Sequence, residues 1–223
     1  MVQSLKQKLF PRCSMTKKEK NVMAKATYLD KGIAAMQPMI TANQAMASAD
    51  GAGVTLCEEQ CLGYINLRIK PAPSNKKLVK EALGVALPKI SKVNSNKQLS
   101  VLGFGPTEWL IVTPTGKETE VIERLNKALE GKHHLLADVT GGTTKLNISG
   151  KNAQDLLEKG TYVDLHDSVC QAGDLYATQI AHAPAVIVKN GSQDFSLIVR
   201  RSFANHIIHW ALDGAREYGF SLS

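Results

Sequence analysis

The sequence contains Ile65-Asn66-Leu67-Arg68 and, 81 residues later, the similar segment Leu146-Asn147-Ile148-Ser149. Both alternate apolar and polar residues, which is typical of a half-buried strand. Each opens a copy of one pattern of strand, helix, β-hairpin and helix, over residues 62–130 and 143–216. Because two copies are too few for a solenoid, we expect them to pack face to face as one pseudo-symmetric unit.

The hairpins of the two copies end in similar strands. Residues 108–112 and 194–199 both lead into helices, and aligning Ile111 with Ile198 gives an offset of 87. Asn190-Gly191 is a strong hairpin signal because both residues tolerate positive φ. It predicts the position of the turn in the second hairpin.

The order of the elements predicts the fold class. The first half, up to the strand at Leu135, has the βαββαβ order of ferredoxin-like split-βαβ units, and the second half is a variant that ends in a helix. We therefore predict an α+β fold with antiparallel sheets and helices on their outer faces. The predicted globular unit is residues 51–223, with two similar halves at about 54–140 and 141–220.

The beginning of the chain has a different composition from the rest. Residues 1–31 carry eight basic and two acidic side chains, and so +6 of the formal net charge of +7. All six methionines lie in the first 46 residues. We predict a flexible, basic, methionine-rich extension over residues 1–50, because such a segment buries little apolar surface. The remainder is nearly neutral and poor in aromatic residues, which argues against a nucleic-acid partner for the folded part.

Composition also predicts the compartment. The sequence has no run of about 18 apolar residues, so we expect no membrane span. Cys13, Cys57, Cys61 and Cys170 form no regular framework, which favours a reduced, cytoplasmic compartment. Cys57-x-x-x-Cys61 lacks a second pair of ligands for zinc, so we predict no metal site.

Two histidines on the last helix are candidates for contact with a partner. His206 and His209 are three residues apart and share a helix face. Asp213 could complete a metal site, but Ile207 and Trp210 belong to the predicted buried stripe and leave the histidines at its edge. We interpret them as exposed or interface residues.

Arg200-Arg201, between a strand and a helix, is the strongest candidate for binding. Guanidinium groups hold carboxylates or phosphates through paired hydrogen bonds, and arginine is enriched at interfaces. We assign Arg200 and Arg201, with Trp109, to a predicted partner surface. Asp138 with Thr140 either binds a small ligand or caps a turn. The sequence contains no phosphate-binding or nucleophile motif, and we predict no catalytic residue.

Several motifs occur in an order typical of one known family. They are Gly53-Val54-Thr55-Leu56, Gly63-Tyr64-Ile65-Asn66-Leu67-Arg68, Leu102-Gly103, Gly105-Pro106-Thr107-Glu108-Trp109-Leu110-Ile111-Val112, Asp138-Val139-Thr140, Gly160, Asp164-Leu165-His166, Leu197-Ile198-Val199-Arg200-Arg201-Ser202-Phe203-Ala204 and Ala215-Arg216-Glu217-Tyr218-Gly219. With these motifs, residues 53–220 resemble the gamma subunit of bacterial heterotetrameric sarcosine oxidase.

The resemblance implies a fold similar to the folate-binding domain of the glycine-cleavage aminomethyltransferase. It also implies partner subunits alpha, beta and delta, which hold FAD, FMN, NAD and tetrahydrofolate. Such complexes oxidise sarcosine to glycine, produce hydrogen peroxide and transfer the one-carbon unit to tetrahydrofolate. The gamma subunit is a structural component without a cofactor of its own.

Two other functions remain open at this stage. A free-standing folate-binding or aminomethyltransferase-like protein would need a cavity between the halves, with Asp138 for the pterin and Arg200 for the glutamate tail. A binder of nucleic acid or acidic surfaces would act through residues 1–31, and its binding would weaken with salt.

Overall fold

The computed structural model describes residues 35–47, 51–60 and 62–223. Their five α-helices are α1 (Gln37–Asn43), α2 (Pro73–Leu83), α3 (Glu118–Ala128), α4 (Ala153–Glu158) and α5 (Ala204–Ala215). Their strands are β1 (Val54–Glu59), β2 (Gly63–Ile69), β3 (Val93–Ser95), β4 (Ser100–Gly103), β5 (Glu108–Thr113), β6 (His134–Asp138), β7 (Thr143–Ser149), β8 (Leu175–Ile180), β9 (Ala183–Gly191), β10 (Asp194–Arg200) and β11 (Phe220–Leu222). None of the described helices is long and apolar enough to cross a membrane.

The strands form two sheets. The first-half sheet has the order β3-β4-β5-β2-β6, and the second-half sheet has the order β11-β1-β7-β10-β9-β8. Within these sheets β1 and β11 run parallel, and the other paired strands are antiparallel.

The sheets and helices stack in four layers. Helices α2 and α3 pack on the outer face of the first-half sheet. Helices α1, α4 and α5 cover the outer face of the second-half sheet. The inner faces pack on each other through residues such as Tyr64, Val112, Leu175 and Val188. The predicted α+β fold with outer helices is confirmed.

Local sequence explains where the helices begin and end. Helix α2 begins at Pro73, whose missing N–H costs nothing in the first turn, and stops at Gly84, which has a φ of 70°. Its buried residues include Val79 and Leu83, one turn apart on the same face. The apolar stripe therefore directs α2 onto the first-half sheet.

The strand that precedes each copy of the pattern joins the sheet of the other copy. β1 precedes β2 in the chain but pairs with β7, and β6 precedes β7 but pairs with β2. Of the predicted halves, 54–140 and 141–220, the first therefore gives β1 to the sheet of the second and keeps its other strands in its own sheet. The strand at Leu135, β6, lies in the first-half sheet as its predicted βαββαβ order requires. Sequence reasoning missed the placement of β1, because adjacent strands usually pair with each other.

The register shows how the two hairpins correspond. Asn66 pairs with Leu110, and Asn147 pairs with Ser196, so the hairpin offset from 110 to 196 is 86 residues. Our offset of 87 was wrong by one residue. The difference matters because a shift of one position moves every side chain of a strand to the other face.

The turn of the second hairpin lies two residues later than predicted. Gly191 pairs with Asp194, so Ser192 and Gln193 make the turn, and the register shifts next to Asn190. The Asn190 amide donates to Ser196 Oγ at 2.9 Å. Asn190 is therefore used in a β-bulge, which tolerates unusual backbone geometry as a tight turn does.

Residues 35–47 are packed rather than flexible. Met36 is 0% exposed and Ile40 is 1% exposed in the core of the second-half sheet. The backbone N–H of Met36 donates to Glu58 Oε2 at 3.0 Å. For these residues the predicted flexible extension is wrong, because unbranched methionine fits an irregular apolar gap well. Residues 1–34 and 48–50 lie outside the described residues.

Candidate functional site: a cleft between the sheets

The inner faces of the two sheets enclose a cleft of about 1040 Å³. It is lined by Asn66, Phe104, Leu110, Val139, Gly141, Gly142, Thr143, Ala177, Thr178, Pro184, Ala185, Val186, Ile198, Val199, Arg200, Arg201 and Ser202. A mainly apolar lining with a few polar groups is the usual composition of a binding site. We take the cleft as the candidate functional site.

The floor of the cleft is apolar because it continues the core between the sheets. Leu110 and Ile198 are buried there, and Phe104, Val139 and Val186 pack beside them. β5 contributes Leu110 and β10 contributes Ile198. The apolar surface of the cleft is therefore held on two strands that are rigidly paired within their sheets.

One wall carries a polar network from the first-half sheet. Asn66 donates to Glu108 Oε1 at 2.8 Å, and Arg68 donates to Glu108 Oε2 at 2.9 Å. The Asn66 hydrogen bond has the largest effect on the pKa of Glu108, and together with the hydrogen bond and charge of Arg68 it outweighs burial and lowers that pKa below its usual range. Glu108 is thus an ionised group with both oxygens occupied.

The opposite wall carries two cations. Arg200 ends β10, and Arg201 begins the short 3-10 turn that leads into α5. Both side chains are exposed and both line the cleft. The two predicted arginines are therefore together at one potential binding site.

A 3-10 turn, Thr140–Gly142, forms part of the rim. The Asp138 carboxylate accepts a hydrogen bond from the Thr140 N–H at 3.0 Å, and Thr140 Oγ1 accepts one from the Tyr64 N–H at 3.0 Å. Asp138 therefore caps a turn and is not among the residues that line the cleft. Sequence reasoning missed Gly141 and Gly142, which are exposed at the rim.

The other half has a polar network at the corresponding position. Asn147, the counterpart of Asn66, donates to Glu59 at 3.1 Å and accepts from Ser196 at 2.7 Å. Lys145 forms an ion pair with Glu59 at 2.7 Å. Burial alone would raise the pKa of Glu59, but the hydrogen bond and charge of Lys145 outweigh it and lower that pKa.

Trp109 lies in the core and not on a partner surface. It is 3% exposed and packs under α2 and α3. Its indole N–H donates to the backbone oxygen of Pro88 at 3.1 Å. This corrects the prediction for Trp109, because a buried and hydrogen-bonded indole offers no surface to another subunit.

The predicted histidines lie on the other side of the second-half sheet from the cleft. His206 and His209 are exposed on α5, and His206 Nε2 donates to the backbone oxygen of Ala181 at 2.7 Å. Asp213 pairs with Arg216 at 3.2 Å. Over residues 35–47, 51–60 and 62–223, no three His, Cys, Asp or Glu side chains are grouped closely enough to hold a metal ion. Cys61 lies outside those residues.

A buried lysine was also missed by sequence reasoning. Lys189 is 1% exposed, and its ammonium donates to the backbone oxygen of Leu165 at 2.8 Å and to Asp167 at 2.5 Å. Such a buried cation persists only when it is paired. Its contacts hold the segment that connects α4 to β8, and burial raises the pKa of the nearby Cys170 thiol. We therefore interpret this cluster as structural.

The duplicated four-layer fold places the chain in a class of proteins built like the folate-binding domain. The aminomethyltransferase T of the glycine cleavage system from Bartonella henselae has a similar fold, with a TM-score of 0.57 at 13% identity over 77% of this chain and 48% of that chain. Residues 70–217 match the profile described as "Sarcosine oxidase, gamma subunit family". The chain belongs to the sarcosine oxidase gamma subunit family.

Individual relatives agree with this assignment. The sarcosine oxidase subunit gamma of Corynebacterium sp. (strain P-1) is 28% identical over 88% of this chain and 97% of its own length. That of Arthrobacter sp is 27% identical over the same shares. The structure of heterotetrameric sarcosine oxidase from Corynebacterium sp. U-96 in complex with pyrrole 2-carboxylate contains a chain with a TM-score of 0.76 at 25% identity, over 83% of this chain and 95% of that chain.

Proposed function

We propose that this chain is the structural gamma subunit of a heterotetrameric sarcosine oxidase and supports the reaction without a reaction centre of its own. The main support is a structural match to one chain of such an enzyme. The match has a TM-score of 0.76 and covers 95% of that chain. The family profile supports the same assignment. Its contribution is then to bind and position larger subunits.

The partners in this proposal are alpha, beta and delta subunits. FAD, FMN, NAD and tetrahydrofolate reside in those subunits, and the complex converts sarcosine to glycine and passes the one-carbon unit to tetrahydrofolate. A cytoplasmic location fits the cysteine usage. The heterotetrameric state of the related Corynebacterium enzyme supports the existence of partner subunits.

The surfaces offered to these partners are the arginine pair and the histidine pair. Arg200, Arg201, His206 and His209 are all exposed, and arginine is enriched at the centres of interfaces. The basic segment 1–31 is a further candidate for contact with an acidic partner, because it carries nearly all of the net charge.

The alternative is a free-standing folate-binding or aminomethyltransferase-like protein, and the cleft is the observation that favours it. Arg200 lines the cleft as that function requires. Asp138 does not, because its carboxylate caps Thr140. Calorimetric titration of the purified chain with tetrahydrofolate tests this function, and stoichiometric binding would favour it over a purely structural role.

Co-expression tests the main proposal. The full-length chain is produced with and without the large subunits that its gene neighbourhood encodes, and the complex is isolated through a tag on a large subunit. We expect this chain to co-purify at one copy per complex, and sarcosine-dependent hydrogen peroxide formation to require the complex. A chain that stays unbound in the presence of those subunits, or oxidises sarcosine alone, would contradict the proposal.

A further inference from the structure

The two glycines at the rim of the cleft have no structural need for glycine within this chain. Neither Gly141 nor Gly142 is among the glycines with positive φ. A Cβ atom added at either position would meet no atom within 4 Å. Glycine also serves where another molecule approaches the backbone closely. The bare backbone at this rim is therefore suited to contact from outside the chain.

The apolar character of the cleft is not required by the fold either. For each cleft residue, the residue at the corresponding position of the other copy follows from aligning the strand pairings of the two copies. The cleft residues and their counterparts are Val139 and Glu59, Leu110 and Ser196, and Phe104 and Asn190. The counterparts are polar and hydrogen-bond to Asn147 or to each other. The same framework thus accepts a polar network, and the apolar cleft is a specific feature of one side.

The charge at the cleft selects for an anion. Among the described residues that line it, none is acidic, whereas Arg200 and Arg201 are cationic. The Glu108 carboxylate is not among the lining residues and already accepts hydrogen bonds from Asn66 and Arg68. A carboxylate brought to Arg200 would gain a charge-assisted hydrogen bond beside an apolar floor.

We propose that the cleft receives an extended segment of a larger subunit, in which an Asp or Glu binds Arg200 and a neighbouring large apolar side chain contacts Leu110 and Ile198. The backbone of this segment passes over Gly141 and Gly142. The inference rests on the proposed function, because the larger subunit supplies the segment. A polypeptide matches all three features, since it combines a carboxylate, an apolar side chain and a narrow backbone.

The first experiment compares variants in the co-expressed complex. Gly142→Leu fills the rim, and Arg200→Glu reverses the charge. Lys151→Glu is the matched control, because it makes the same change in charge at an exposed residue beyond the other end of β7. Thermal unfolding of each full-length chain, followed by circular dichroism, checks that the fold is intact. Gly142→Ala is a milder second variant should the leucine lower the melting temperature.

We expect Gly142→Leu and Arg200→Glu to weaken assembly about tenfold or more, because each removes part of a closely fitted contact, while Lys151→Glu assembles like the wild type. Salt should weaken assembly of the wild type more than that of Arg200→Glu. Normal assembly of both cleft variants would overturn the inference and leave the proposed function intact. Failure of the wild type to assemble would instead overturn the proposed function.

A photo-crosslinker identifies the occupant directly. p-Benzoylphenylalanine replaces the exposed cleft residue Ala177 or, as a control, Tyr162, which is 88% exposed outside the cleft. In the assembled complex we expect Ala177 to crosslink to a peptide of a larger subunit that contains Asp or Glu. A crosslink to a second copy of this chain, or none above the Tyr162 level, would overturn the inference.

Discussion

The two sheets follow one plan but differ in how deeply the exchanged strand is buried. β6 is the edge strand of the first-half sheet, whereas β1 lies between β7 and β11 in the second-half sheet. Leu56 of β1 is 0% exposed, whereas its counterpart Leu136 of β6 is only half-buried. The duplicated pattern thus specifies the strand order, and segments outside the pattern, α1 and β11, decide the depth of the core.

The depth of the core also changes what a carboxylate does at corresponding positions. Glu58 in β1 is 5% exposed and accepts hydrogen bonds from Met36 N–H and Thr144 Oγ1. Its counterpart Asp138 in β6 is exposed and caps one turn. Duplication therefore does not preserve the role of a residue when one sheet acquires additional segments, here α1 and β11.

The largest difference in the free energy of unfolding should appear when one leucine side chain of each exchanged strand is shortened to alanine. We expect Leu56→Ala to lower the free energy of unfolding by about 3 kcal/mol, because a fully buried leucine leaves a cavity. Leu136→Ala should cost about 1 kcal/mol, since the side chain is already partly in water. Urea unfolding followed by circular dichroism measures both. Equal losses would show that the two strands are buried alike.

A second test removes the two corresponding carboxylates. Glu58→Ala should destabilise the protein by about 2 kcal/mol, because it leaves two buried donors without an acceptor. Hydrogen exchange should become faster at residues 37–43, since Met36 loses its anchor. Asp138→Ala should cost about 1 kcal/mol or less, because its single partner is partly exposed. Unchanged exchange in α1 of the Glu58 variant would argue against its anchoring role.

A third, smaller effect is expected at the turn between β8 and β9. Ala181 and His182 have φ values of 47° and 65°, which are unfavourable for residues with a Cβ. Ala181→Gly should raise the free energy of unfolding by about 0.5 kcal/mol, after the entropy cost of glycine is subtracted. Ala177→Gly in β8 is the control and should lower it. The corresponding turn of the first half, between β3 and β4, contains no residue with positive φ, and there Asn96 accepts hydrogen bonds from the N–H groups of Gln98 and Leu99.

The smallest expected effect depends on pH and involves the start of α3. Burial, aided by the charge of Asp138, raises the pKa of Glu118 above its usual range, against hydrogen bonds from its own backbone and that of Gly116. Folding therefore favours the protonated form, and this contribution is present at low pH and lost as pH rises through the raised pKa. The counterpart in α5, Ala204, has no charge to titrate.

Glu118→Gln should remove this contribution. The melting temperature of the variant relative to the wild type should rise between about pH 4 and pH 7, because only the wild type must bury a charge. Differential scanning calorimetry at several pH values makes the comparison, and Glu123→Gln on the exposed face of the same helix is the control. Parallel profiles for Glu118→Gln and the wild type would show that Glu118 titrates normally.

The repeat, the helices and the outer packing could be predicted from sequence because they depend on local periodicity. Val121 and Leu125 define the buried stripe of α3 as expected. The orientation of β5 could not be predicted, since nearly all of its residues are buried on both faces. Trp109 and Leu110 are equally apolar, and only the register with β2 shows that Trp109 faces the helices and Leu110 the other sheet.

The cleft was only partly predictable. Arg200 and Arg201 were recognisable as paired cations next to a strand. Asn66 and Gly142 could not be assigned to the same site as these arginines, because their proximity depends on how the two sheets pack. Only the structure shows that Gly142 does not have a positive φ, so the sequence could not single it out from glycines that a turn requires.

The strand exchange also determines the order in which the two sheets can form while the chain is synthesised. When β6 leaves the ribosome, its partner β2 has already been made, whereas β1 waits about 80 residues for β7. At 5–20 residues per second that delay is roughly 4–16 s. The first-half sheet can close cotranslationally, while the second-half sheet closes only after β11 emerges. During that interval the apolar side chains of β1, Val54 and Leu56, have no strand partner to cover them.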